Sequence, residues 1–252
     1  MSRRGLALAA MLAVGCVYLR PEAVLFVAMW VGLGLWRGGV SASWLQGGVI
    51  LLAVVVALLP WAARNRAKLG HWVWLTTNGG ASLYDGVGPT ATGGSDLAEG
   101  LGRPEIVGLS ELERDAFFQD QAWAAMRRDP GRIVQMAWVK VLRTWNWRPN
   151  FAPYRGGWLA LTSVGWMSAV SAMACVGLCR VGWRRRWALA VMLLPAVYWT
   201  ALHGVFVGSV RYRQAAMPMV EVLAAVGLAA VLGWLKVWRS DGLVGEGRGG
   251  RT

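Results

Sequence analysis

The sequence predicts an all-α integral membrane protein of about six transmembrane helices, with one extracytoplasmic loop domain containing an amphipathic and an interfacial helix. Three observations lead there. Hydrophobic residues make up 56% of the 252 and charged residues 15%, where soluble domains carry roughly 25% charge, and the mean hydropathy is +0.42. Trp occurs 17 times against 5 Phe and 5 Tyr, an excess suited to rings seated at a membrane–water boundary with one edge wet. The apolar residues also gather in six runs, 6–19, 23–36, 49–59, 158–179, 187–207 and 217–238.

The first two runs hold 14 residues each, about 21 Å as helix against a hydrocarbon core of ~30 Å. They are expected to form a hairpin that does not fully cross. Their junction is Arg20-Pro21-Glu22, where the proline ends one helix or starts the next and the two charges face water or each other. The third run lengthens if it begins at Ser43 or Trp44, and Pro60-Trp61 is expected to end it. This gives N-terminal membrane helices over 1–60, the loop domain over 61–156 and three further membrane helices over 157–238. Residues 239–252, rich in Gly and Arg, are expected to be a disordered cytoplasmic tail.

Nine of the thirteen acids fall between Asp85 and Asp129, which marks that stretch as solvated, with turns at Asn78-Gly79-Gly80 and Thr92-Gly93-Gly94. Ser110 followed by Glu113 is a capping box, opening a helix whose stripe is Leu112, Ala116, Ala122, Trp123 and Met126. Asp129-Pro130 restarts a helix. Residues 133–147 are apolar nearly all round with Lys140 and Arg143 inserted, the pattern of a helix lying in the membrane interface.

A net charge of +13 and an isoelectric point near 10.9 do not signal a nucleic-acid partner, because the basic residues flank apolar runs and form no separate basic domain. They report orientation. If six segments cross in turn, Arg3, Arg4, Arg37, Arg180, Arg184, Arg185, Arg186, Lys236, Arg239, Arg248 and Arg251 all fall on one side, which the positive-inside bias makes the cytoplasm. The expected location is the inner (plasma) membrane, with 61–156 outside. Arg3-Arg4 before a short apolar run also fits a cleaved signal peptide, with Leu12-Ala13-Val14-Gly15-Cys16 as a loose lipoprotein box. Against it, apolar residues continue through Val17, Tyr18 and Leu19 and no polar mature domain follows.

Cys16, Cys175 and Cys179 have neither disulfide nor metal spacing and read as buried small residues, so no metal site and no cofactor is expected. Among the polar residues, Arg211-Tyr212-Arg213 lies on the outer side, where two guanidiniums suit a lipid phosphate or an interfacial anchor. Glu221 is the only acid in the interior of the last run and needs a partner, with Arg211 or Arg213 nearest in sequence. Arg20 and Glu22 face the same compartment. Arg64, Asn65, Arg66 and Lys68 form a second outer basic cluster that orientation does not explain. His203 reads as a hydrogen-bonded packing residue.

The order of landmarks matches a known family. Arg20-Pro21-Glu22, Pro60-Trp61-Ala62-Ala63-Arg64-Asn65, Thr77-Asn78-Gly79-Gly80, Leu83-Tyr84-Asp85-Gly86 with Ala91-Thr92-Gly93, Glu111 to Asp115, Lys140 with Trp145, and Arg211-Tyr212-Arg213 to Pro218 resemble bacterial membrane glycosyltransferases. The likeness is to the protein-mannosyltransferase-like family 39 type of the GT-C superfamily and runs from Gly5 to Leu235. It implies a polyprenyl-phosphate sugar as donor on the non-cytoplasmic face. Arg211, Arg213, Arg20 and Arg64 would hold the donor phosphate, with Tyr212, Glu221, Glu22, Asn78 and Asp85 in support and the loop from Asn78 to Gly94 shaping the acceptor side. The family's catalytic acids lie in a first outer loop before the Arg-Pro-Glu landmark, whereas the first acid here is Glu22. The chain therefore resembles the C-terminal portion of the family, expected to be inactive alone and to need a missing N-terminal portion or partner chain. The catalytic base has no candidate. The rival expectation is a non-catalytic membrane scaffold or partner subunit.

Overall fold

The computed structural model describes residues 2–37, 40–96, 100 and 102–246. All regular structure among them is helical: α1 (Arg3–Leu19), α2 (Ala23–Arg37), α3 (Val40–Leu69), α4 (Gly79–Val87), α5 (Glu111–Arg128), α6 (Pro130–Thr144), α7 (Gly157–Val181), α8 (Arg186–Val205) and α9 (Met217–Glu246). Four segments are long and apolar enough to cross a membrane, Trp44–Leu69, Gly157–Val181, Trp183–Val205 and Met217–Lys236. Residues 247–252 of the expected tail lie outside the described residues. The chain divides into two units, Met1–Leu142 with Ala201–Gly208, and Arg143–Thr200 with Ser209–Thr252.

In the first unit, α1 to α3 pack around Val17, Val27, Val31, Ile50, Val54 and Leu58. With 17 and 15 residues, α1 and α2 reach about 26 and 22 Å, shorter than the ~30 Å core as the sequence indicated. Ala23 N donates to Arg20 O at 2.8 Å across their turn. Pro60 does not end the third helix. It sits inside α3, which runs on to Leu69, because one lost amide forfeits a single bond in a thirty-residue ladder. Arg66 and Lys68 therefore lie in the last turn of α3, where the negative end of the helix favours cations.

The same unit holds α4 and α5 around Ala81, Tyr84, Val87, Ile106, Phe118 and Ala122. The capping box forms, with Ser110 N donating to Glu113 Oε2 at 2.8 Å and Glu113 N to Ser110 Oγ at 3.4 Å. Hydrogen bonding of the Glu113 carboxyl by the side chain and backbone amide of Ser110 holds it below its usual range. The buried seam of α5 is rotated from the expected stripe: Phe118 is buried, whereas Trp123 is 48% exposed and Ala116 is exposed. Gly80 sets that rotation, since a Cβ there would meet Asp115 O at 2.0 Å and Gln119 N at 2.9 Å. The two backbones touch, which is also why Asn78-Gly79-Gly80 opens a helix and not a free turn. α6 starts at Pro130, where Asp129-Pro130 was expected to restart a helix, and ends at Thr144; Asp129 caps its start by accepting from Arg132 N at 2.9 Å. Val134, Trp138 and Leu142 line one exposed apolar face.

In the second unit, α7 and α9 cross through glycine. A Cβ on Gly177 would lie 2.0 Å from Leu223 O, and one on Gly227 would lie 1.9 Å from Met173 O. This is close packing of small residues, as between helices in lipid. Met167, Val170 and Met217 form the buried cluster beside it. The cysteines are not buried: Cys16, Cys175 and Cys179 are all exposed. An apolar run shows that a helix is apolar all round but not which side another helix covers.

Candidate functional site

The residues singled out in the sequence fall into two groups. Arg20, Glu22, Arg64, Asn78 and Asp85 belong to the first unit, and Arg211, Tyr212, Arg213 and Glu221 to the second. In the first unit most of the charge is already met locally. Arg20 Nη1 donates to Glu22 Oε1 at 3.2 Å, the one ion pair among the described residues, with both side chains about a third exposed. Such a pair contributes at most ~1 kcal/mol. Arg64 donates to Asn65 Oδ1 at 3.0 Å and lies 5.2 Å over the Trp61 ring. The buried Asn65 in turn donates to Val73 O at 2.9 Å, tying the end of α3 to the segment that follows.

Asn78 precedes α4 without capping it, and its Nδ2 donates to Ser82 Oγ at 3.3 Å. The cap comes from α5: Asp115 Oδ1 accepts from Gly80 N at 2.7 Å and from Ala81 N at 3.4 Å. The positive end of α4 is thus occupied by the chain's own carboxylate. Asp85 accepts from Ser95 Oγ at 2.6 Å and from Asp96 N at 2.8 Å, folding the 90–96 loop over a small cleft lined by Tyr84, Asp85, Thr90, Thr92 and Phe118. Arg132 fastens the same loop from α6, donating to Gly88 O at 3.0 Å, Pro89 O at 2.9 Å and Ala91 O at 3.1 Å.

Lys140 is not the outward-facing cation that the sequence pattern suggested. It is fully buried and donates to Val205 O at 2.7 Å and Gly204 O at 3.3 Å, capping the last turn of α8. Burial, assisted by the nearby Arg132 charge and opposed by Asp85, lowers its ammonium from 10.5 to about 8. His203 is the packing residue expected, buried with Nδ1 3.1 Å from Val207 O.

The second unit is different. Arg213, only 5% exposed, lies in the 3-10 turn Tyr212–Ala215 between two candidate spans. Its Nη1 donates to the carbonyl oxygen of Asn146, its Nε has no partner and it makes no ion pair among the described residues. Burial holds the guanidinium below its usual range. The carbonyl it uses belongs to a fixed turn, since Asn146 Oδ1 accepts from Arg148 N at 3.2 Å and Asn150 Nδ2 donates to Arg143 O at 3.1 Å. Two residues before Asn146, Thr144 is 1% exposed and its Oγ1 also lacks a partner. Trp145 Nε1 donates to Thr200 Oγ1 at 2.8 Å, anchoring the same turn to α8.

Arg211 is exposed, its guanidinium 5.3 Å over the ring of its neighbour Tyr212 and bonded to the Tyr212 hydroxyl at 3.3 Å. The two arginines of one motif therefore occupy opposite environments. Glu221 is exposed on α9 and makes no ion pair among the described residues, so the expected pairing with Arg211 or Arg213 is not formed. The 3-10 turn before α9 separates them.

Arg132 and Thr144 were not singled out in the sequence, and the partners of Lys140 and Asp115 were not legible there. Asn146 and Asn150, four apart just beyond an apolar helix, are the signal that could have pointed to a polar turn there. Comparison with family models, with curated proteins and with solved structures finds no match for this chain.

Proposed function

We propose that this chain supplies the lipid-phosphate-holding part of a membrane glycosyltransferase that takes its sugar from a polyprenyl-phosphate donor on the non-cytoplasmic face. Arg213 carries the reading. A guanidinium this deeply buried, with one backbone carbonyl as partner and no carboxylate, leaves a charge that is costly until an anion meets it. A phosphate oxygen brought to the buried, unpartnered Nε supplies a charge-assisted bond of the geometry arginine favours. In the transfer, the acceptor oxygen bonds to the anomeric carbon while the C–O bond from that carbon to the phosphate breaks, and the acceptor's hydroxyl proton passes to a base supplied from outside this chain. Arg213 stabilises the charge gathering on the departing phosphate. Arg20 and Arg64 belong to the other unit and are already engaged, by Glu22 and by Trp61 with Asn65.

The fuller topology belongs to this proposal: six crossings in the inner membrane, both termini cytoplasmic and residues 61–156 outside, as the parity of the basic loops requires. Glu22, Asp85, Glu111, Glu113, Asp115 and Asp129 each accept a hydrogen bond from a nearby group. None is assigned as the base that inverting transfer needs. That favours inactivity of the isolated chain, and it equally suits the second reading, a non-catalytic partner subunit that binds the lipid phosphate.

Binding of a polyprenyl phosphate to the detergent-purified chain tests the proposal. Arg213→Ala should weaken it by about tenfold or more, on the scale of ~1.5–3 kcal/mol for a lost charge-assisted contact, and Arg213→Lys should restore part of it. Unchanged affinity in Arg213→Ala, with helicity intact, would return Arg213 to a purely structural role.

A further inference from the structure

In the second unit α9 has two unlike faces. One turns Leu223 and Gly227 to α7, with Leu223 2% exposed. The other presents Glu221, Ala225, Leu228, Ala229 and Leu232, all exposed and spaced as one stripe of an α-helix. Glu221 makes this face unlike ordinary lipid-facing surface. It lies four residues beyond Met217, where the span begins, and a carboxylate turned toward hydrocarbon marks a missing partner.

The complementary charge is present in the same unit. Arg211 is exposed ten residues earlier, stacked only on its own neighbour Tyr212 and without an ion pair among the described residues. A two-fold interface must be self-complementary, and a patch carrying one acid and one base at the same end of a helix satisfies that condition twice.

We propose that α9 docks against α9 of a second copy of this chain, forming a parallel two-fold dimer in which Glu221 of each copy pairs with Arg211 of the partner subunit. The shared orientation of two inserted copies makes the helices parallel and brings like depths together. Ala225 and Ala229, one turn apart on this face, let the backbones approach, with Leu228 and Leu232 packing at their flanks. A different protein would have to bring its own base to the same depth, whereas a second copy brings Arg211 already.

Energy transfer between two populations of the full chain, labelled at the amino terminus and reconstituted in phosphatidylcholine vesicles, measures association against the protein-to-lipid ratio. Glu221→Arg and Arg211→Glu, made singly, should each weaken association about tenfold, near the upper end for polar contacts between membrane helices, and the chain carrying both should recover it. Ala229→Ile should also weaken association, although it would not disturb a helix that faces only lipid. Circular dichroism checks that each variant remains helical. Energy transfer at the level of random proximity, insensitivity to the single charge reversals, or a different protein bound one to one along α9 would each overturn the proposal.

Discussion

Lys140 reaches from the middle of α6 to the carbonyl oxygens of Val205 and Gly204, so a fully buried amine closes the end of a candidate membrane span. Helix ends leave carbonyls without partners, and one placed away from water must be met by the protein. The glycine at 208 completes the joint: its N donates to Gly93 O at 2.8 Å, and a Cβ on it would meet Lys140 O at 2.4 Å. One lysine thereby fixes the exit of α8 against α6, while Gly208 fixes it to the loop that Asp85 and Arg132 shape.

That burial makes stability depend on pH in a definite direction. Lys140 holds its proton to about pH 8 when folded and to 10.5 in an ordinary environment, so unfolding takes up a proton between those values. The stabilisation is complete above 10.5 and lost as pH falls through 8, a difference of about 3 kcal/mol at most. Melting temperatures in detergent should therefore rise from pH 8 to pH 10 in the wild-type chain relative to Lys140→Met. A difference that stays flat across this window would count against the buried amine.

Arg213 separates binding from stability. Replacing an uncompensated buried charge by an apolar side chain of similar length is often neutral or stabilising by ~1–4 kcal/mol. Arg213→Met should therefore melt no lower than wild type without ligand, while losing polyprenyl-phosphate binding. A large drop in melting temperature would instead make the bond to Asn146 its main purpose.

The glycine contacts predict a sharp contrast within one residue type. Gly80→Ala and Gly227→Ala force a methyl into backbone at 2.0 and 1.9 Å and should each cost ~3 kcal/mol or more, at the upper end for overpacking. Gly48→Ala meets nothing within 4 Å in the middle of α3 and should gain ~0.5–1 kcal/mol from helix propensity. Thermal melts of the three variants suffice to compare them.

The proposed orientation is open to labelling in intact cells. In a chain whose three exposed cysteines are replaced by serine, a membrane-impermeant thiol reagent should reach Ser95→Cys and not Arg185→Cys. The reverse pattern would invert the topology.

Hydrophobic runs made the helical class and the long α7 to α9 segments readable, because backbone satisfaction in lipid leaves few alternatives. The capping box at Ser110 was readable for a local reason, with donor and acceptor three residues apart. What was hidden depends on distance along the chain. Lys140 looked interfacial because its partners, Gly204 and Val205, lie 64 and 65 residues away. Nothing in Arg211-Tyr212-Arg213 alone tells which arginine turns inward, since the answer comes from the carbonyl of Asn146. The exposed face of the cysteines was equally silent, being set by which helix packs where.

The cap that Asp115 places on α4 bears on the order in which the chain can acquire structure. A nine-residue helix is too short to persist alone in water, and its amide-capping carboxylate arrives 35 residues after Gly80. α4 thus depends on α5, which comes later in the chain, for its amide cap and for the backbone laid across Gly80. The glycine-rich start of α4 suits that dependence, since it disfavours an isolated helix and leaves room for the later segment. The loop held by Asp85 inherits the same dependence, because Asp85 itself lies in α4.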